Sequence, residues 1–149
     1  MKNLILAATI FLSMNAFATE NNPTVNSKVL NTFNKVFKDA QNVQWSTTAR
    51  YAEASFTTKG AIKTRAFIDT NGNLLQTIRY YKEESLPAQL LYNLKSEYNN
   101  HIIWGVVEVS NRKGTLYNIT LKDSKYWYHV KMDPNSNMQL DKRYKRGEL

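Results

Sequence analysis

The residues able to do chemistry in this chain are few, and their spacing argues against catalysis. The 149 residues contain no cysteine, so there is no thiolate to act as nucleophile or metal ligand. The two histidines, His101 and His129, stand outside any H-E-x-x-H spacing. Five glycines form no nucleophile elbow, no phosphate-cradling loop and no dinucleotide fingerprint. A serine, histidine and acid assembled only by folding would leave no linear mark, but nothing in the sequence points to one. The reading is therefore a protein that is not an enzyme and carries no cofactor and no metal.

One motif imitates a metal site. Asp69-Thr70-Asn71-Gly72-Asn73 places oxygen side chains at alternate positions, as the start of a calcium loop does. The twelfth position from Asp69 is Tyr80, where such a loop needs a bidentate glutamate. A second version, beginning at Asp133, has Pro134 and Ser136 and lacks the glycine. Asp and Asn also bond their own backbone in tight turns, so both segments read as turns.

What remains is recognition chemistry. Strict alternation along the strands places Tyr51, Arg65, Phe67, Arg79 and Tyr81 on one side of the first half of the chain, with Lys63 and Leu75. It places Trp127, His129, Lys131 and Arg143 on the corresponding side of the second half, with Asp141 and Lys145. Aromatic and arginine side chains are the usual anchors of protein interfaces. These nine residues, from Tyr51 to Arg143, form the candidate partner-binding face. An alternative gives the face small anionic ligands or anionic envelope polymers, held by Arg65, Arg79, Lys131 and Arg143. The plainest alternative is a solvated cationic face with no partner, since strands favour aromatics in any case.

The elements that must position this face are legible. Asn26 or Ser27 caps a helix whose apolar stripe is Val29, Leu30, Phe33, Val36 and Phe37. Strands follow at Val43–Ser46, Arg50–Thr58, near 62–68 and at Leu74–Tyr81, with a hairpin centred on Asn71-Gly72. Pro87 opens a second helix with the stripe Leu90, Leu91, Leu94 and Tyr98. Further strands run near 102–109, 115–122, 125–132 and 138–145. The fold class is α+β. Each half is one helix packed on an antiparallel sheet of three to four strands, with the other sheet face open.

The two halves repeat. Asp69, Asn71, Asn73, Leu74, Arg79 and Tyr80 recur as Asp133, Asn135, Asn137, Met138, Arg143 and Tyr144, each 64 positions later. The repeats span about 26–81 and 86–145 within one domain, 26–146. The linker Lys82–Leu86 is too short for the halves to move independently, so one rigid unit is expected.

Residues 1–18 read as a secretory signal peptide. Lys2 precedes the apolar run Leu4–Leu12, and Ala16-Phe17-Ala18 offers a cleavage site. The run is about half the roughly 20 residues a membrane span needs, so the chain is not expected to span a membrane. Residues 19–25 read as a flexible leader. Removing the signal leaves 131 residues and takes the formal charge from +8 to +7. The absence of a cysteine after the cleavage site excludes a lipid anchor there. An exported protein of this charge is expected to meet anionic polymers, headgroups or an acidic protein, and not nucleic acid.

The pattern of helix, Trp45, the alternating strand Tyr51–Phe56, the segment from Phe67 to Leu75, the Leu86-Pro87 helix start and the strand Tyr117–Leu121 resembles the PepSY-like family named for similarity to the β-lactamase-inhibitor protein. The resemblance covers about residues 25–145. It implies a secreted or periplasmic protein of tandem α+β repeats, for which inhibition of a protease or another envelope enzyme is often proposed. The expected partner is a protein of the periplasm or cell envelope, and the chain is expected to be a monomer or weak dimer. The β-lactamase inhibitor itself uses an aromatic-rich sheet face. The present sequence departs from that inhibitor in lacking cysteine.

Overall fold

The structure is a computed structural model, and it describes residues 24–147. The expected signal peptide, and the leader as far as Pro23, lie outside the described residues. The elements are α1 (Ser27–Val36), β1 (Gln41–Thr47), β2 (Tyr51–Thr58), β3 (Ile62–Asp69), β4 (Leu74–Tyr81), a 3-10 turn (Glu83–Ser85), α2 (Ala88–Glu97), β5 (Ile102–Asn111), β6 (Gly114–Lys122), β7 (Tyr126–Met132) and β8 (Met138–Lys145). Each strand pairs antiparallel with the next, so all eight form one sheet in chain order. The halves are joined within that sheet, because β4 pairs with β5 from Gln76↔Asn111 to Tyr81↔Val106.

Both helices pack on the same face of the sheet. On β3, Ile62, Thr64, Ala66 and Ile68 alternate inward and are all buried. Ala66 and Ile68 join Val29 and Phe33 of α1, Ala52, Ala54 and Phe56 in one core cluster. Ile62 joins Leu90 and Leu94 of α2, Val106, Ile119, Leu121, Val130 and Met132 in a second cluster. Two separate apolar clusters therefore lie side by side under one continuous sheet. Such burial of one face by helices is what period-two strands require. Val36, expected in the apolar stripe, is exposed, because α1 ends there and Phe37 makes the remaining contact.

The hairpin loops pin each helix to its sheet. Asp69 accepts from the backbone N–H groups of Asn71 and Asn73 at 2.9 and 2.8 Å and from the Asn73 amide at 2.9 Å. Asp133 makes the same three bonds with Asn135 and Asn137. These bonds hold both carboxyls below their usual range, the Asn73 and Asn137 side chains contributing most. Thr32 of α1 donates to the Gly72 carbonyl at 2.6 Å. Gly72 has φ +87°, and a Cβ there would come within 3.0 Å of the Lys28 carbonyl oxygen, so only glycine fits. In the second half Ser136 occupies a left-handed conformation (φ 67°), and its hydroxyl is bonded by Asn93 of α2 at 2.7 Å.

Candidate functional site

The sheet face away from the helices is covered by no described element. Its residues follow from the pairing. Phe67 lies opposite Glu53 and Arg65 opposite Ser55. Next come Gln76, Ile78 and Tyr80, then Val107, Val109 and Asn111. Leu116, Asn118, Thr120 and Lys122 of β6 continue the row, followed by Trp127, His129 and Lys131 of β7 and then Lys142 and Tyr144 of β8.

Of the nine predicted face residues, Tyr51, Arg65, Phe67, Trp127, His129 and Lys131 lie here. Arg79, Tyr81 and Arg143 do not, and their assignment is corrected. The strand β4 carries a register shift between the pairs Phe67↔Gln76 and Ile68↔Leu74, so Leu75 is an extra residue. Strict alternation fails at such a bulge, and every residue beyond it changes face. Arg79 therefore lies opposite the buried Thr64, and Tyr81 opposite the buried Val106. A second shift in β8, at Asp141, turns Arg143 toward Tyr128 on the helix side, where its guanidinium lies 4.7 Å from the Tyr126 ring centroid.

Arg79 and Tyr81 instead form a polar seam where the halves meet. Tyr81 is 8% exposed. Its hydroxyl donates to Glu108 at 2.6 Å, while Arg79 donates to both carboxylate oxygens at 3.1 Å. Burial, aided by Glu108, pushes the Tyr81 phenol well above the usual tyrosine range.

The open face itself differs from end to end. In the first half Arg65 donates to both Glu53 oxygens and lies over Phe67 at 5.2 Å, with Tyr51 edge-on to Phe67 at 5.7 Å. The Arg65 hydrogen bonds hold the Glu53 carboxyl below its usual range. In the second half Trp104 and Trp127 meet edge to face at 5.5 Å. Lys122 Nζ lies 4.0 Å from the Trp104 centroid and 5.6 Å from that of Trp127. Lys82 lies 4.8 Å from Trp104 and donates to its carbonyl at 2.6 Å. Arg146 lies 5.8 Å from the Trp127 ring. Tyr144 lies edge-on to His129 at 5.4 Å, and Lys131 pairs with Asp141 at 2.8 Å.

Sequence reasoning missed Trp104, Tyr80, Lys82, Lys122, Lys142 and Tyr144. Trp104 is 49% exposed because the β5–β6 register shifts between Ile103 and Gly105. Its apparent counterpart Trp45 packs edge-on against Phe33 at 4.9 Å on the helix side. The signal was Gly105 inside an apolar run, which marks a bulge.

Beside Trp104 the chain leaves an open cavity of about 750 Å³, lined by Ile62, Lys63, Tyr80, Lys82, Glu84 and Trp104 among others. Among the described residues no group of three His, Cys, Asp or Glu could hold a metal ion, and no helix is long and apolar enough to cross a membrane.

No family model matches the sequence, and no curated protein does. Solved structures do match. A BLIP-like protein from Bacteroides fragilis superposes with a TM-score of 0.63 at 20% identity, over 85% of this chain and 92% of that one. The fold is BLIP-like. A DUF2874 family protein from Bacteroides ovatus shares this BLIP-like fold with a TM-score of 0.61 at 20% identity, over 83% and 89% of the two chains. So does a protein from Bacteroides eggerthii described as one of the "putative periplasmic proteins", with a TM-score of 0.60 at 15% identity, over 83% and 90%.

Proposed function

We propose that this chain is an exported, non-catalytic binding module that recognises a protein partner in the cell envelope through the open sheet face, by steric occlusion of the surface it covers. The observation that carries the reading is the bare face itself. A single eight-stranded sheet buries one side under both helices and leaves Phe67, Tyr80, Trp104, Trp127 and Tyr144 on the other. Aromatic side chains on an uncovered face, such as the Trp104–Trp127 pair, are the usual anchors of protein interfaces. The BLIP-like and periplasmic neighbours support the same class of function, and the signal-like residues 1–18 support export. The same face could serve inhibition, with the bound protein's working surface lying against the sheet.

The chain reads as a duplication of one α+β unit. Support comes from the 64-residue offset, from the matching hydrogen bonds of the Asp69 and Asp133 loops and from one core cluster per half. The alternative based on Arg65, Arg79, Lys131 and Arg143 loses its basis. Arg65, Arg79 and Lys131 are each paired to a carboxylate, and Arg79 and Arg143 lie on the helix side.

The test is capture from an envelope fraction by the mature chain and by a Phe67→Ala, Trp104→Ala, Trp127→Ala variant, with circular dichroism to establish that the variant is folded. The expected result is a protein captured by the first and lost by the second. Equal capture by a folded variant overturns the reading.

A further inference from the structure

We infer that the partner presents an acidic peptide segment, which docks at the Trp104–Trp127 end of the open face between Lys82 and Lys122. The inference rests on the binding reading above and names the chemistry of its occupant.

On the open face, β4 contributes Gln76, Ile78 and Tyr80, β5 contributes Val107, Val109 and Asn111, and β6 contributes Leu116, Asn118, Thr120 and Lys122. None of these is a carboxylate. In the first half Glu53 lies opposite Phe67 and neutralises Arg65. Asn118, opposite Lys131, and Thr120, opposite His129, are the β6 residues in the corresponding places. Asp141 on β8 is already paired with Lys131. Among the described residues Lys63, Lys82, Lys122 and Lys142 make no ion pair. Glu84 is the one carboxylate among the residues that line the cavity.

Geometry then selects the occupant. Two ammonium groups lie over the Trp104 ring, Lys122 at 4.0 Å and Lys82 at 4.8 Å. Trp127 has Lys122 and Arg146 near its ring and the edge of Trp104 against it. Cations therefore already lie against both indole rings, and a stacking sugar ring would compete with them for the ring faces. A carboxylate needs no displacement. It meets ammonium groups already at the ring, of which Lys82 spends one N–H on the Trp104 carbonyl and keeps the others. Beside them the 750 Å³ cavity offers Tyr80 and Trp104 to an apolar side chain next to the acid. A segment of alternating acidic and apolar residues fits both features, while an anionic polysaccharide fits only the charge.

The experiment titrates the mature chain with a labelled glutamate–leucine peptide, with a glutamine–leucine peptide of equal length, and with polygalacturonate. Binding is located by the indole N–H resonances of Trp45, Trp104 and Trp127. The expected result is that the acidic peptide shifts Trp104 and Trp127 but not Trp45, and weakens as salt rises. Lys82→Ala with Lys122→Ala should lose at least about tenfold in affinity, and Lys122→Arg should keep it. Lys35→Ala with Lys38→Ala removes the same charge from exposed positions at the end of α1 and should change binding less than about twofold. The inference is overturned if the acidic peptide does not bind, if both double variants lose equally, or if polygalacturonate binds here and the peptide does not. Binding that shifts other face residues while sparing Trp104 and Trp127 overturns this inference but leaves the open-face reading standing.

Discussion

The two halves of the open face lie on different strands of one sheet and reach opposite electrostatic states. In the first, Arg65 is held by Glu53 and laid over Phe67, so cation, carboxylate and aromatic satisfy one another. In the second, Lys82 and Lys122 lie over Trp104 with no carboxylate on the neighbouring open-face positions of β4–β6. The first is complete without a partner. The second holds charges whose counter-ions must come from solvent or from another molecule. The Asp69 and Asp133 loops make the same three hydrogen bonds, while the outward side chains differ. Interface specificity commonly resides in such outward positions on a rigid scaffold.

One continuous sheet joins the halves, so they should unfold as one body. Leu94 is fully buried under the second half, and Leu94→Ala should lose about 2–5 kcal/mol. Urea unfolding followed by Trp45 alone, and by Trp104 and Trp127 alone, should give coincident midpoints that both fall. A first-half midpoint that stays put would separate the halves.

The seam comes next in size. Tyr81→Phe removes the hydroxyl that donates to Glu108, and Arg79 keeps the carboxylate satisfied. The loss should be about 1.5 kcal/mol. Because burial raises the folded phenol above its unfolded value of about 10, its stabilisation is whole below pH 10 and lost as pH rises further. Thermal melts of wild type should fall above that pH, and those of the variant should fall less.

Glu53→Gln converts the first half toward the state of the second. With Arg65 part-exposed, stability should drop by about 1 kcal/mol or less. The freed guanidinium should create a second, weaker acidic-peptide site, detected as a shift of the Arg65 Nε–H resonance. No shift would mean that charge alone does not make the site, and that the tryptophans are required.

The smallest effect concerns the end of the second half. Asp123 accepts from the Tyr128 hydroxyl and from the backbone of Lys125 and Tyr126, which bring its carboxyl down to about 2, the Tyr128 bond first among them. An unfolded aspartate titrates near 3.9. The stabilisation is therefore present above about pH 4 and disappears as pH falls toward 2. Asp123→Asn should flatten the melting temperature across that window, while the first half's Trp45 environment stays unchanged.

Much of this molecule is legible residue by residue. Asn26 as a cap, Gly72 in its turn, the stripe of α2 and the inward alternation of β2 and β3 follow from local preference and period, because each is decided within a few neighbouring residues. The lack of catalytic spacing is legible in the same way. Arg79, Tyr81, Arg143 and Trp104 are different. Their faces depend on single extra residues at Leu75, Asp141 and Trp104 itself, and a bulge is set by how two strands pair rather than by either strand alone. The sequence by itself determined the elements, the turns and the two apolar stripes. Only the tertiary structure decided that both sheets are one, that the arginines after the bulges turn to the helix side, and that two tryptophans with two lysines gather on the open face. Pairing partners far apart in the chain made those choices.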